Sequence, residues 1–169
     1  MSDDLGGAGL RLRAPANLVS RRAVAHWAVR AGLVWAVLVL GQAAPGLLGF
    51  AVPDWLRLTA LATAVLGAAH VVVMPRWRYR VHRWETTGDA VFTRSGWFTQ
   101  DWRIAPVSRV QTVDTERGPL QRLFGLATVT VTTASAQGPV SIEGLDEATA
   151  ARLVDELTST TQATRGDAT

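Results

Sequence analysis

Apolar positions along the 169-residue chain form two unbroken runs and then a series of short alternations. The first run, AGLVWAVLVLGQAAPGLLGFAV at 31–52, has Gln42 as its most polar side chain. The second, LTALATAVLGAAHVVVM at 58–74, carries no formal charge. A hydrocarbon core about 30 Å thick needs roughly 20 helical residues, so the first run is long enough to cross and the second sits at the short limit. Trp55 and Trp77 flank the second run at headgroup depth. Pro45 and the glycines around it suit a span better than a soluble helix. PDWLR at 53–57 then predicts a tight turn in a transmembrane helical hairpin covering 25–75. Two buried helices of a soluble protein are the alternative, but so short a chain offers little to cover them. A cleaved signal peptide does not fit a run that begins thirty residues in.

The second run ends abruptly in MPRWRYRVHRWE, 74–85, where Arg76, Arg78, Arg80 and Arg83 interleave with Trp77, Tyr79, Val81 and Trp84. That period of two predicts a half-buried strand leaving the membrane. Further strands are predicted at 88–94, at 97–105 after a Ser95-Gly96 turn, and at 108–116, where Val110 and Val113 fall out of phase and imply a bulge. Phe98, Trp102 and Ile104 are placed on one face of the second of these, with Thr99, Asp101 and Arg103 on the other. GPLQRLFG at 118–125 reads as one helical turn started by Pro119 and stopped by Gly125. LATVTVTT at 126–133 and PVSIE at 139–143, separated by a Gln137-Gly138 turn, alternate cleanly. Asp146 is a candidate N-cap for a helix whose Ala150, Leu153, Val154 and Leu157 share one face. The polar residues at 1–24 and 161–169 predict disordered tails. The fold class is therefore α+β: the hairpin, then a small antiparallel β-barrel or roll over 76–160 with a C-terminal capping helix.

Charge refines the picture. All seventeen basic residues besides histidine are Arg, and cysteine is absent, which removes disulfides and thiolate metal sites. Residues 84–162 hold six Arg and ten acids, net −4, so the folded part lacks the basic footprint of a nucleic-acid binder. Arg11, Arg13, Arg21, Arg22 and Arg30 precede the first run and the four strip arginines follow the second, whereas the turn has only Arg57 beside Asp54. The positive-inside rule predicts a multi-pass protein of the cytoplasmic membrane with both termini in the cytoplasm.

The segment YRVHRWETTGDAVFTRSGWFTQDWRIAPVSRVQTVDTERGPLQRLFGLATVTVTT resembles bacterial pleckstrin-homology-like (PH-like) domains of the YdbS-like, membrane-flanked type. The carrying pieces are a strand leading out of a span, the R-S-G turn at 94–96, I-A-P-x-x-R-V-Q at 104–111 and P-L-Q-R-L-F-G-L-A-T-V at 119–129, with the helix after Asp146 in its expected place. The likeness covers about 58–158. It implies two roughly orthogonal antiparallel sheets with a helix over one open end, and no catalytic motif. ETTGD at 85–89, between the first two strands, holds two acids and no Arg, unlike a phosphate-gripping loop.

Candidate chemistry is sparse. His26, His70 and His82 have no metal-ligand spacing, and no nucleophile–base pair or phosphate loop is present. The expectation is a non-enzymatic protein without metal, cofactor or small-molecule substrate, acting as a scaffold or as a protein- or peptide-binding module. Trp97, Trp102, Arg109, Arg117 and Arg122 are the candidate partner contacts, one of the two tryptophans being core. The bland reading pairs the three arginines with Asp114 and Glu116. The alternative function is reading of anionic lipid headgroups by Arg76, Trp77, Arg78, Arg80, Arg83 and Trp84. Membrane lipids and a protein partner or second copy are the expected partners. A transport accessory would need Gln42 and His70 to face each other in an oligomer.

Overall fold

The computed structural model describes residues 14–97, 99–134 and 138–166. Two long helices, α1 (Arg22–Leu47) and α2 (Asp54–Val81), precede the sheets. Only 17% and 11% of their most apolar stretches is buried, so Leu33, Val37, Leu40, Leu61, Val65 and Leu66 face outward. An apolar surface of that extent is matched to lipid rather than water. The hairpin turn falls earlier than the predicted 53–57. It occupies residues 48–53, where Gly49 takes φ +83° and Pro53 sets an extended N-cap, so that Trp55 lies in the first turn of α2.

Inside the hairpin, polar groups pair across the helices. The Trp35 indole donates to His70 Nδ1 at 2.8 Å, and Gln42 Nε2 donates to Thr63 Oγ1 at 3.1 Å. Gln42 and His70 thus each have a partner on the opposite helix of their own hairpin, rather than each other. Gly67 lets Trp35 lie against α2, since a Cβ there would come within 2.9 Å of the ring.

The predicted strand at 76–82 is instead helix as far as Val81, with His82 as its extended C-cap. Burial recurs at 74, 75, 78, 79, 81 and 82, the spacing of a helical face rather than an alternation. Seven residues of mixed Arg and aromatic satisfy both periods, and the continuing backbone ladder of α2 decides for helix. Pro75 lies within α2, and Arg76 Nη1 reaches back to the Val72 carbonyl at 2.6 Å.

The domain consists of two antiparallel sheets. The first has the order β1 (Asn17–Leu18), β2 (Arg83–Thr86), β3 (Ala90–Gly96), β4 (Gln100–Pro106), and the second β5 (Val110–Glu116), β6 (Leu126–Thr133), β7 (Val140–Asp146). A 3-10 turn at Val107–Arg109 carries the chain between sheets, and the register shifts between Val110 and Thr112, where the bulge is predicted. The short helix α3 (Pro119–Leu123) stands where the sequence places it. α4 (Glu147–Gly166) starts behind Asp146, whose Oδ1 accepts from the Thr149 amide at 3.0 Å. The two sheets do not close into a barrel. Their common core is Val91, Ala105, Val107, Val129, Val131, Ile142 and Leu145, covered by Ala150, Leu153 and Leu157 of α4.

Both predicted tails contain ordered structure. Asn17 and Leu18 pair with Trp84 and Arg83, the Ser20 amide donates to the Gly144 carbonyl at 2.8 Å, and α1 begins at Arg22; residues 1–13 lie outside the described residues. Val19, Ala23 and Trp27 bury with Leu126 in a second core, against Tyr79, Trp84 and Phe124. At the other end α4 runs on to Gly166, its Ser159, Thr160 and Thr161 hydroxyls donating to carbonyls three or four residues back. Of these only Thr161 falls in the predicted tail, whose residues 167–169 lie outside the described residues; the hydroxyls supply local partners on a helix already docked by its apolar face.

Candidate functional site at the helix–sheet seam

Where α2 leaves its apolar stretch, it runs alongside the end of the domain formed by β3, β4 and β7. The inner face of the β3–β4 hairpin changes character along its length. Val91 and Ala105, paired in register, are core; Thr93 with Arg103 and Ser95 with Asp101 continue the same face beyond it. Trp102 and Ile104 share a face opposite Asp101 and Arg103, as the alternation predicts, and that face is the outer one, with Ile104 46% exposed; Phe98 lies outside the described residues. Polar side chains face inward here because they line a cleft of about 710 Å³ between this hairpin, β7 and α2, with His70, Met74, Trp97, Ser141 and Glu143 in its walls.

Arg78 forms the floor. Its Nη2 donates to Glu143 Oε2 at 2.7 Å, and its guanidinium stacks 4.5 Å from the Trp27 ring centre. Its Nε–H points at His82 Nε2 across a long 3.4 Å, while His82 Nδ1 lies 3.0 Å from the Arg78 carbonyl. An arginine only donates and a carbonyl only accepts, so His82 is neutral with its proton on Nδ1. Burial, and then the Arg78 charge, push its pKa down to about 4 despite the carbonyl contact.

The predicted site residues divide among several places. Arg78 and Trp97 line the cleft; beside it the exposed Trp77 donates its indole N–H to the Trp97 carbonyl at 3.1 Å, and the Trp97 ring lies 5.5 Å from His70. Arg76 and Arg80 are exposed on the other side of α2. Arg83 has moved onto β2 and reaches the Pro15 carbonyl at 3.5 Å, and Trp84 packs between the two cores. The six-residue strip is therefore not one surface. Trp102 lies beneath Arg94, 5.1 Å from its guanidinium carbon, so neither Trp97 nor Trp102 is core. Arg117 grips Glu147 with both terminal nitrogens, at 2.6 and 2.9 Å, instead of Asp114 or Glu116. Arg109 and Arg122 are exposed on the 3-10 turn and on α3, away from the cleft walls.

Glu143, Asp101, Arg103 and Ser95 are cleft residues that sequence reasoning did not single out. A signal exists: Thr93 and Ser95 share one parity in their strand, as Asp101 and Arg103 do in the next, facing each other across the turn. It was masked by the larger Trp102 and Ile104. Among the described residues, no cluster of three or more His, Asp or Glu is arranged to hold a metal ion.

The family profile described as "Bacterial PH domain" matches residues 29–161, which include most of both long helices as well as the sheets. The chain belongs to this bacterial PH-domain family. It is 32% identical over 156 residues to the UPF0699 transmembrane protein YdbS of Bacillus subtilis, covering 90% of this chain and 97% of that one. No solved structure matches it. This PH domain is thus a membrane-associated one that carries transmembrane helix as an integral part, and the match across the seam agrees with the cores that join helices to sheets.

Proposed function

We propose that the chain crosses the membrane twice with both termini in the cytoplasm, and that it is a non-enzymatic module whose PH domain binds a protein or peptide at that face. The arginine asymmetry supports the orientation: the hairpin turn is flanked by Arg57 alone, 3.6 Å from Asp54. The observation carrying the partner reading is the outer face of the first sheet. There Leu18 and Ile104 are exposed beside half-buried Phe92 and Trp102, on a domain segment of net charge −4. Exposed aromatic and aliphatic side chains on a rigid sheet are typical anchors for a protein partner. The acidic balance disfavours anionic lipid as the domain's main ligand.

A photo-crosslinking residue at position 104 of the full chain in native membranes, compared with one at position 109, tests this. The expected result is a discrete protein adduct from position 104 alone, lost when Trp102 is changed to Ala; an adduct of twice the chain mass identifies a second copy as the partner. Crosslinking to lipid alone at position 104 overturns the reading. The alternative, headgroup reading by the strip, retains Arg76 and Arg80 around Trp77, which are exposed where α2 emerges. It predicts salt-sensitive binding of the full chain to anionic membranes that falls when both arginines become Gln.

A further inference from the structure

The cleft does not end at the domain. A second cavity of about 430 Å³ shares His70, Met74, Arg78 and Glu143 with it and continues between α1 and α2 along Trp27, Ala31, Val34 and Trp35. A helix rises 1.5 Å per residue, so a hydrocarbon core of about 30 Å starting near Asp54 ends near Met74. The apolar groove of Ala31, Val34 and Trp35 then lies on the hydrocarbon side of that level. The polar cleft straddles it, from His70 and Met74 outward to Arg78 and Glu143. The two spaces adjoin along the side chains of His70, Met74, Arg78 and Glu143, so tail depth and headgroup depth meet at one shared wall.

Its chemistry is specific. The two cavities are lined by Arg30, Arg78 and Arg103 against Asp101 and Glu143, a balance of +1, with His82 neutral beneath them. Glu143 is already neutralised by Arg78 at 2.7 Å, and Arg103 offsets Asp101 on the same face of β4, so an ammonium headgroup finds no net negative charge. A phosphodiester carrying one negative charge completes the balance. Thr93, Ser95, Ser141 and the Asp101 carboxylate offer partners for headgroup hydroxyls. Because Trp35 can only donate, neutral His70 accepts at Nδ1 and keeps its proton on Nε2, adding a donor to the ring that lines both cavities.

We infer that this seam holds one anionic phospholipid with a hydroxyl-bearing headgroup, a tail in the groove between the helices and the phosphate against Arg30 and Arg78. Such a lipid wedges the PH domain onto the hairpin and sets its tilt at the membrane surface. It is a defined site, separate from both the outer sheet face and the exposed strip arginines.

The test is native mass spectrometry of the full chain in mild detergent, offered equal amounts of phosphatidylglycerol, phosphatidylethanolamine and phosphatidylcholine. One phosphatidylglycerol per chain should be retained, at least fivefold over the other two. Arg30→Gln should abolish that preference, and Val34→Trp, on a lipid-facing wall where a larger side chain does not disturb the fold, should remove bound lipid of every kind. Arg80→Gln, outside the cleft, should leave retention unchanged. Equal retention of the three lipids overturns the inference, as does a loss with Arg80→Gln matching that with Arg30→Gln, which means diffuse attraction only. Glycerol phosphate without tails competing as well as the lipid also overturns it, by making the cleft a soluble-anion site.

Discussion

His82 has one environment in the folded chain and another when unfolded, and the difference is readable as pH dependence. The ring is 6% exposed and its pKa is lowered from 6.5 to about 4. The unfolded chain therefore binds more protons between those values, and stability present above about pH 6.5 is lost as pH falls toward 4. The ceiling of this effect is about 3 kcal/mol. A thermal-unfolding series in detergent from pH 7.5 to 4.5 should show a falling Tm, with the slope reduced in His82→Gln. Asp146 acts in a lower window. Burial alone would raise its carboxyl, but the hydrogen bonds from Thr149 outweigh that and hold it below the usual carboxylate range. Its contribution persists at pH 5 and fades only in stronger acid, so the two residues separate along the pH axis. Glu143→Gln leaves Arg78 partly buried without its countercharge. Both groups keep some solvent contact, so the expected cost is only about 1–2 kcal/mol, measured as a lower denaturation midpoint.

The contact between α1 and β7 decides how the helices meet the sheets. Gly144 has φ +78°, and a Cβ there would stand 2.8 Å from the Ala23 Cβ. Gly144→Ala therefore combines backbone strain with a clash in the second core, at about 2–3 kcal/mol. The expected readout is faster tryptic cleavage at Arg21 and Arg22 in the folded protein, as the first turn of α1 loosens from β7. α2 carries a different lesson. Its 28 residues span about 42 Å at helical rise, well beyond a hydrocarbon core. The excess is a rigid stalk bearing Arg78 and ending at Val81, so the domain is coupled to the membrane by helix and not by a flexible linker.

As a whole, the molecule does not divide at residue 75. A fragment covering 76–162 would lack Val19, Ala23 and Trp27 and expose Leu126, which is fully buried in the intact chain. That fragment should be poorly folded, with weak amide dispersion by NMR and strong dye binding, whereas the full chain in nanodiscs gives a cooperative unfolding transition. The same cores explain why the predicted N-terminal tail is ordered. Its residues carry too few apolar side chains to signal an element, and Asn17–Leu18 becomes a strand only because β2 offers an edge.

Composition and local period determined a great deal. Two runs too long and apolar for water, the bulge after Val110, the Pro119–Gly125 turn, the clean alternation of β6 and the Asp146 cap were all legible, because each depends on neighbours in sequence. What the tertiary structure alone decided depends on distant partners. The strip is helical over 76–81 because α2 continues through it. Thr93, Ser95, Asp101 and Arg103 turn inward because α2 and β7 leave a polar cleft for them. Arg78 is drawn out of the arginine strip because Glu143 and Trp27, 65 residues ahead of it and 51 behind, converge on one guanidinium. A period reports which side chains share a face; only the packed chain reports what that face meets.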